Sequence, residues 1–214
     1  MAAFRGFPAD AIEFLRELED NNDRDWFRAN RARYDAHLVE PARALAEELR
    51  DLGAPHFFRP YNDTRFHARP PIKEQLGVVL GRGGAGVFYF ELSLDGVFAG
   101  AGMHHPAPDQ LDRYRRLMDD GRRAAGFERA VRTAEKAGLE VASPDLKRAP
   151  RGYPADHPRL DRLRLKRITV GARNEIGPWV HTAECDARLG AQLRAAKPLV
   201  RWLGAHVGPS GAAR

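Results

Sequence analysis

Apolar residues recur every three or four positions through the first fifty residues, the spacing that gathers them on one face of an α-helix. This pattern predicts a first helix over residues 8–20, with Asp10 as its N-cap. A second helix is expected after a cap at Asn22 or Asp23, and a third begins around Pro41, which suits the first turn of a helix. Three helices are therefore expected to lead the chain.

The period then changes to two, which is typical of β-strands. Residues 87–94, VFYFELSL, place Phe and Leu on one side and Tyr89, Glu91 and Ser93 on the other. The dipeptide Asp95-Gly96 predicts a two-residue hairpin turn into a returning strand, VFAGAG. Further strands are expected at residues 57–61, 76–80 and 162–170.

Helical patterns return between the strands, in PDQLDRYRRLM and GFERAVRTAEKAG, and again over residues 183–207, with an interruption at Pro198. These elements predict an α+β fold, in which helices pack mainly on one face of an antiparallel sheet. Residues 1–207 are expected to form a single domain, followed by a flexible tail at 208–214.

The composition is that of an ordinary globular protein, with 43% hydrophobic and 30% charged residues in 214. No apolar run approaches the roughly 20 residues that span a bilayer, so no membrane partner is expected. A start that carries acids and a proline is unlike a signal peptide, and a single cysteine, Cys185, excludes an internal disulfide. A cytoplasmic location is expected.

The chain is basic, with 35 Lys and Arg against 29 Asp and Glu and a formal charge of +6. A basic surface raises the local concentration of phosphates and nucleic acid, so anionic partners are favoured. Acids are spread through the same segments, however, which also fits solvated faces that bind nothing.

The segment GRGGAG, residues 81–86, matches the glycine spacing of a dinucleotide-binding loop. Such a loop must open a helix, whereas a strand pattern follows here, and the G-K-[ST] ending of a P-loop is missing. The segment is therefore interpreted as a hairpin loop.

Two pairs of metal-ligand residue types also occur, His104 with His105 and His181 with Cys185. Each pair offers two ligands where structural zinc sites usually take four, so no metal site is predicted. No nucleophile-elbow motif is present, and no cofactor is indicated.

The segment FRPYNDTRFHARPPIKEQ, residues 57–74, combines cations, an acid, aromatic rings and prolines. Arg59, Arg65 and Lys73 are candidates for an anion pocket, because the guanidinium fork binds carboxylate or phosphate, and Asp63 would orient one arginine. The alternative is a buried structural clasp, in which Asp63 pairs with Arg59 or Arg65. If the protein is an enzyme, Asp63 or His67 is the candidate base.

A second basic segment, residues 146–160, contributes Arg148, Arg151 and Tyr153 as additional ligand-binding candidates. It runs into the predicted strand 162–170, where one face would carry a row of cations that could follow a phosphate backbone. The same row would also suit the solvated face of an edge strand. Its members are Arg162, Arg164 and Lys166.

With these residues in view, the chain resembles a bacterial and fungal family of conserved hypothetical proteins, catalogued as domain of unknown function 2461. The family element R-x-x-R-D-x-R-F is matched by RPYNDTRF, through Arg59, Asp63, Arg65 and Phe66, while Asn62 replaces the second arginine. The segments NNDRDWF, YFELSLDGVFAGAG and LKRAPRGYPADHP extend the similarity over nearly the whole chain.

The sequence departs from the family pattern D-K-x-P-Y-K, where ARPPIK keeps only Pro71 and Lys73. The resemblance implies one domain and draws attention to Arg59, Asp63 and Arg65, but it implies no particular activity, cofactor or substrate.

Three functions remain open from the sequence. The leading hypothesis is binding of a phosphate- or carboxylate-bearing molecule by the cations of residues 57–74, with or without catalysis. The second is a nucleic-acid-binding module that uses the cation row of strand 162–170. The third is a structural or partner-binding protein. The oligomeric state is not set by any of these patterns.

Overall fold

The computed structural model of the chain describes residues 3–63, 65 and 69–211, and its secondary structure is α+β, as predicted. The α-helices are α1 (Ala9–Asp20), α2 (Arg24–Ala29), α3 (Arg31–Tyr34), α4 (Glu40–Glu48), α5 (Pro108–Asp119), α6 (Gly121–Glu135), α7 (Leu160–Leu163), α8 (Glu184–Ala195) and α9 (Lys197–His206). A π-helical segment, Asp35–Val39, joins α3 to α4, and 3₁₀ turns cover Arg50–Leu52 and Pro178–His181.

One antiparallel sheet contains six strands in the order β1-β2-β3-β4-β6-β5, which confirms the predicted sheet type. The strands are β1 (Pro55–Phe57), β2 (Gln75–Leu80), β3 (Val87–Ser93), β4 (Gly96–Met103), β5 (Glu140–Val141) and β6 (Ile168–Asn174).

The leading helices form where the hydrophobic spacing places them, but their ends differ from the prediction. Pro8 occupies the N-cap of α1 without a side-chain bond, so Asp10 lies inside the helix and the predicted cap is wrong. Asp23 does cap α2, because its carboxylate accepts hydrogen bonds from the amides of Asp25 and Trp26 at 2.8 Å each. The predicted second helix breaks at Asn30 into shorter pieces.

The hairpin between β3 and β4 turns one residue earlier than predicted. Leu94 and Asp95 form the turn, and Gly96 opens β4 with a φ of +129°. A Cβ at Gly96 would lie 2.4 Å from the carbonyl oxygen of Asn174, so no larger residue fits this position. The segment GRGGAG, residues 81–86, is the loop between β2 and β3, as interpreted from the sequence.

The chain divides into two compact units. Unit 1 comprises residues 1–80, 89–99 and 173–190, and unit 2 comprises residues 81–88, 100–172 and 191–214. Because each unit gathers segments that are distant in sequence, the single domain expected over residues 1–207 stays a prediction.

Each unit has an aromatic centre. In unit 1 the ring of Tyr34 lies 5.2 Å from Phe27 and 5.8 Å from Phe14, and all three side chains are buried. In unit 2 the ring of Phe127 lies 5.5 Å from Tyr114 and 5.2 Å from Trp202. Such contacts between rings add to the free energy that burial alone provides.

The last described residues are hydrogen-bonded within unit 2. Asp109 accepts hydrogen bonds from the Ser210 hydroxyl at 2.7 Å and the Gly211 amide at 2.9 Å. The Arg113 guanidinium donates to the carbonyls of Val207 and Pro209. The Gly211 amide, followed by Ser210 and Arg113, lowers the pKa of Asp109 to about 2. Flexibility of the tail 208–214 stays a prediction, and its described part is bound to α5.

Among the helices that the structure describes, none is both long and apolar enough to cross a membrane.

Candidate functional site

The candidate segment lies at the end of the hairpin formed by β1 and β2. Their antiparallel register pairs Phe57 with Val78, and hydrogen bonding continues beyond the strands, since the Lys73 amide donates to the carbonyl of Pro60 at 2.7 Å. An isolated bridge joins Tyr61 to Ile72. We call the described residues of this segment, 58–63, 65 and 69–74, the hairpin arm. Phe66 and His67, both singled out in the sequence, lie outside the described residues.

The hairpin arm is attached to the junction of α1 and α2 through Asn22. The Asn22 side-chain amide donates to the Ile72 carbonyl at 3.0 Å and to Glu74 Oε1 at 2.8 Å. Its side-chain oxygen accepts the Ile72 amide at 2.9 Å. This contact gives the segment NNDRDWF a structural role, because Asn22 fixes the arm and Asp23 caps the helix.

Asp63 and Arg65 form an ion pair within the hairpin arm. The Arg65 Nη2 lies 2.7 Å from Asp63 Oδ2 and its Nε lies 3.0 Å from Oδ1, so the guanidinium donates hydrogen bonds to both carboxylate oxygens. These side-chain bonds, followed by the bond from the Arg65 amide, hold the pKa of Asp63 below its ordinary value. The Asp63 and Arg65 side chains are 39% and 76% exposed. The pairing that the clasp alternative expects is therefore present, but it is not buried.

Arg59 and Lys73 bring two positive charges together in the arm. The Lys73 Nζ donates to the carbonyl oxygens of Arg59 at 2.6 Å and Tyr61 at 3.2 Å. Partial burial, and then the charge of Arg59, lower the pKa of Lys73. Within residues 3–63, 65 and 69–211, no carboxylate lies within ion-pair distance of Arg59 or Lys73. The charge of Arg59 acts on Asp63 without an ion pair and adds to the lowering of the Asp63 pKa. This part of the arm therefore carries positive charge that no ion pair in the described chain neutralises.

The second basic segment belongs to unit 2. Arg148 and Arg151 are exposed and Tyr153 is half-buried; burial is the main cause that raises the pKa of Tyr153. His157, 6.3 Å from Tyr153 between ring centroids, accepts the Arg159 amide through Nδ1. Its Nε2 must then be the protonated nitrogen that donates to Asp119 at 2.9 Å. Because both ring nitrogens are engaged, His157 links this segment to Asp119.

The predicted cation row on strand 162–170 is wrong in its secondary structure. Arg162 lies in the last turn of helix α7, Arg164 caps that helix, and β6 begins only at Ile168. Leu163 and Leu165 alternate with the cations because a helical turn followed by bends buries them, not because a strand does.

The guanidinium groups of Arg162 and Arg164 are also held individually rather than as a row, whereas Lys166 is exposed and, within the described chain, is bonded only through its backbone amide. Arg162 binds both oxygens of Glu128 at 3.0 and 3.2 Å. Arg164 donates to the Leu146 carbonyl and to Asp161, and the Lys166 amide donates to Asp145 at 2.7 Å. The strand geometry that the nucleic-acid alternative expected for Arg162, Arg164 and Lys166 is therefore not present.

The structure describes both metal-ligand pairs. His181 Nδ1 lies 2.8 Å from the Phe7 carbonyl, which requires a proton on that nitrogen. Burial raises the pKa of the Cys185 thiol to about 12, so it stays protonated at neutral pH. His104 and His105 follow β4 with their rings 4.2 Å apart. The described residues contain no group of three or more His, Cys, Asp or Glu that could hold a metal ion.

A polar cluster on the sheet in unit 1 was not predicted from the sequence. Glu91, whose side chain is only 9% exposed, accepts hydrogen bonds from the Tyr89 hydroxyl at 2.7 Å and Arg173 at 3.0 Å. Arg173 also donates to Ser93 at 3.1 Å. Burial, followed by the bond to Glu91, raises the pKa of Tyr89. The alternation of β3 already places Tyr89, Glu91 and Ser93 on one side, but no local pattern indicates Arg173.

Comparisons with known proteins add one finding to this geometry. Searches of curated proteins and of solved structures found no match. A family model, described as conserved hypothetical protein (DUF2461), matches residues 10–202, which contain both basic segments and the sheet. The chain therefore belongs to the DUF2461 family of conserved hypothetical proteins.

Proposed function

We propose that the protein binds an anionic ligand, bearing phosphate or carboxylate, at the hairpin arm. Arg59 and Lys73 make the primary contacts, and Arg65, oriented by Asp63, adds a guanidinium fork. Arg148, Arg151 and Tyr153 form a second candidate set in unit 2.

One observation carries the proposal: Arg59 and Lys73 are like charges, one of them partly buried, without a carboxylate partner in the described chain. Partly buried charges are normally paired, because leaving water costs free energy that a partner must offset. A bound anion would supply this partner and would raise the pKa of Lys73 toward its ordinary value.

The geometry supports binding more directly than catalysis. Asp63 is the candidate base of the arm, but its ion pair with Arg65 lowers its pKa. A carboxylate with a lowered pKa is a weak proton acceptor, whereas a general base works best with a pKa near the working pH. We therefore assign Asp63 the role of orienting the Arg65 guanidinium, not that of transferring a proton.

The test measures binding of inorganic phosphate, citrate and sugar phosphates by thermal shift and calorimetry. A ligand that binds only the folded protein stabilises it by about 2.7 kcal/mol at a hundredfold excess over its dissociation constant. We expect a rise in Tm for the parent protein that is lost in Arg59→Gln and Lys73→Gln.

Arg28→Gln is the matched control, because it removes the same charge from an exposed arginine of α2 that is paired with Asp25. It should keep the full shift. Equal shifts in all variants, or none in the parent protein, would contradict the proposal. An NMR titration adds an independent readout, since phosphate should raise the pKa of Lys73.

We also infer a cytoplasmic location. The support is the free thiol of Cys185, which is buried and fits a reducing compartment.

A further inference from the structure

The hairpin arm exposes aromatic rings beside its unneutralised cations. Among the described residues, the large hydrophobic side chains most open to solvent are Phe58, at 43%, and Tyr61, at 40%. They lie on either side of Arg59 and Pro60 in the chain. Exposed aromatic rings next to cations are the combination that single-stranded nucleic acids require, since each nucleotide offers a flat base and a phosphate.

The Phe58 ring packs against two other rings. Its ring packs edge-on against His56 at 5.7 Å and lies 6.2 Å from the ring of Tyr89. Gly77 provides the space, because a Cβ there would lie 2.5 Å from the Tyr89 hydroxyl and 3.2 Å from Cδ2 of Phe58. A ring that is already held in place loses little conformational freedom when a ligand stacks on it.

Tyr61 is held by separate contacts. Its ring meets Phe27 edge-on at 5.8 Å, its backbone bridges to Ile72, and its carbonyl accepts a hydrogen bond from Lys73. The second exposed ring is therefore bound through its backbone to one of the two unneutralised cations.

From Phe58, a row of rings continues across the sheet through Tyr89 and ends in a third cation. The ring of Phe98 lies 6.1 Å from Tyr89, and the guanidinium of Arg173 lies 5.4 Å from the Phe98 ring. Glu91 and Ser93 hold Arg173 in this position. The row of rings thus runs from Phe58 to a fixed arginine that is 39% exposed.

We infer that the anionic ligand of the hairpin arm is a single-stranded nucleic acid, whose bases stack on Phe58 and Tyr61 while its phosphates meet Arg59 and Lys73. This inference rests on the proposed function and names the ligand class. A duplex keeps its bases stacked on one another, so it cannot use the two rings. An uncharged apolar partner would leave the cations unneutralised.

The experiment measures fluorescence anisotropy with labelled oligo-dT and oligo-U of about ten nucleotides, within the range that such surfaces cover. The same strands annealed to their complements, and inorganic phosphate as a competitor, complete the set. We expect tighter binding of the single strands than of the duplexes. The logarithm of affinity should fall linearly with the logarithm of salt concentration.

Variants separate stacking from charge. Phe58→Ala and Tyr61→Ala should each weaken oligonucleotide binding by about tenfold, without changing the salt slope or phosphate binding. Arg59→Gln should reduce the salt slope by about 0.7, the value for one phosphate contact on a single strand. Phe58→Leu is the matched control for shape, because leucine keeps an apolar side chain without a flat ring. It should bind as weakly as Phe58→Ala, and urea midpoints confirm that the variants are folded.

The outcomes distinguish this inference from the proposed function. Phosphate binding at Arg59 and Lys73 without oligonucleotide binding overturns the inference and leaves the proposed function standing. Absence of both overturns both. Equal affinity for single strands and duplexes, or full affinity in folded Phe58→Ala and Tyr61→Ala, overturns the stacking role and points to a protein partner for the exposed rings.

Discussion

Two arginine-rich regions of the chain differ in how their positive charges are matched. In residues 159–167 of unit 2, Arg162 binds Glu128, Arg164 binds Asp161 and a carbonyl, and Arg167 binds Asp145. In the hairpin arm of unit 1, Arg59 and Lys73 have no ion-pair partner in the described part of the chain. Both regions are rich in cations, so the number of cations does not distinguish them. The ion-pair partners do, because they indicate a structural network in residues 159–167 and a candidate ligand site in the hairpin arm.

The largest difference is expected in stability. Arg162→Gln should lower the free energy of unfolding by about 1–3 kcal/mol, because it leaves the part-buried carboxylate of Glu128 without its charged donor. Arg59→Gln should change it by less than about 0.5 kcal/mol, as for most exposed positions. Urea denaturation checks both values. Similar losses of unfolding free energy in Arg162→Gln and Arg59→Gln would show that the two regions do not differ in this way.

A double-mutant cycle sharpens this first prediction. Glu128→Gln combined with Arg162→Gln should cost less than the sum of the single changes, because the second change removes a group that has already lost its partner. Additive costs would show that the pair does not stabilise unit 2.

The next-largest effect on stability is expected from Asp145→Asn, and it should depend on pH. Asp145 accepts the amides of Lys166 and Arg167 and the Arg167 side chain at 2.7 to 3.1 Å. Burial acts to raise its pKa, but these bonds outweigh burial and lower it. Asp145→Asn should therefore cost about 1–2 kcal/mol near pH 7.

The sign of the pH effect at Asp145 follows from linkage. With a native pKa below the ordinary value of about 4, its stabilisation is complete above pH 4 and is lost as the pH falls through the native pKa. The stability gap between the parent protein and Asp145→Asn, measured by urea denaturation from pH 7 to 3, should narrow toward the acid end. A constant gap would contradict this account.

Lys73 should make the smallest contribution to stability, and this contribution should vary with pH only at alkaline pH. Because its native pKa is lowered, the unfolded chain binds more protons than the folded one just below the ordinary lysine pKa of about 10.4. Stability contributed by this group should rise with pH in that window, and Lys73→Gln should flatten the rise. Saturating phosphate should flatten it too, whereas an unchanged slope would contradict binding beside Lys73.

Local signals predicted much of the fold because they act over few residues. Asp23 caps α2, Gly53 follows the last helical turn before the sheet, and the alternation in residues 87–94 forms β3. The strand expected at residues 162–170 failed because Leu163 and Leu165 are buried two apart for a tertiary reason, one in a short helix and one after it.

The candidate site was predictable only in part. The cations and Asp63 were visible in one short segment, and Asp63 does pair with Arg65. The lack of partners for Arg59 and Lys73 depends on where every acid falls in the fold. Arg173 reaches Glu91 only because β6 lies beside β4, a strand order that no local pattern encodes.

Asn22 behaves like a strand residue without belonging to a strand. Its side-chain amide exchanges two hydrogen bonds with the backbone of Ile72, as a neighbouring peptide would in a sheet. Its side-chain NH₂ group should therefore give a distinct pair of signals in a ¹⁵N spectrum. Any event that displaces the hairpin arm must break or lengthen these bonds. The Asn22 side-chain signals should therefore report such a displacement, although Asn22 lies fifty residues away in sequence from Ile72.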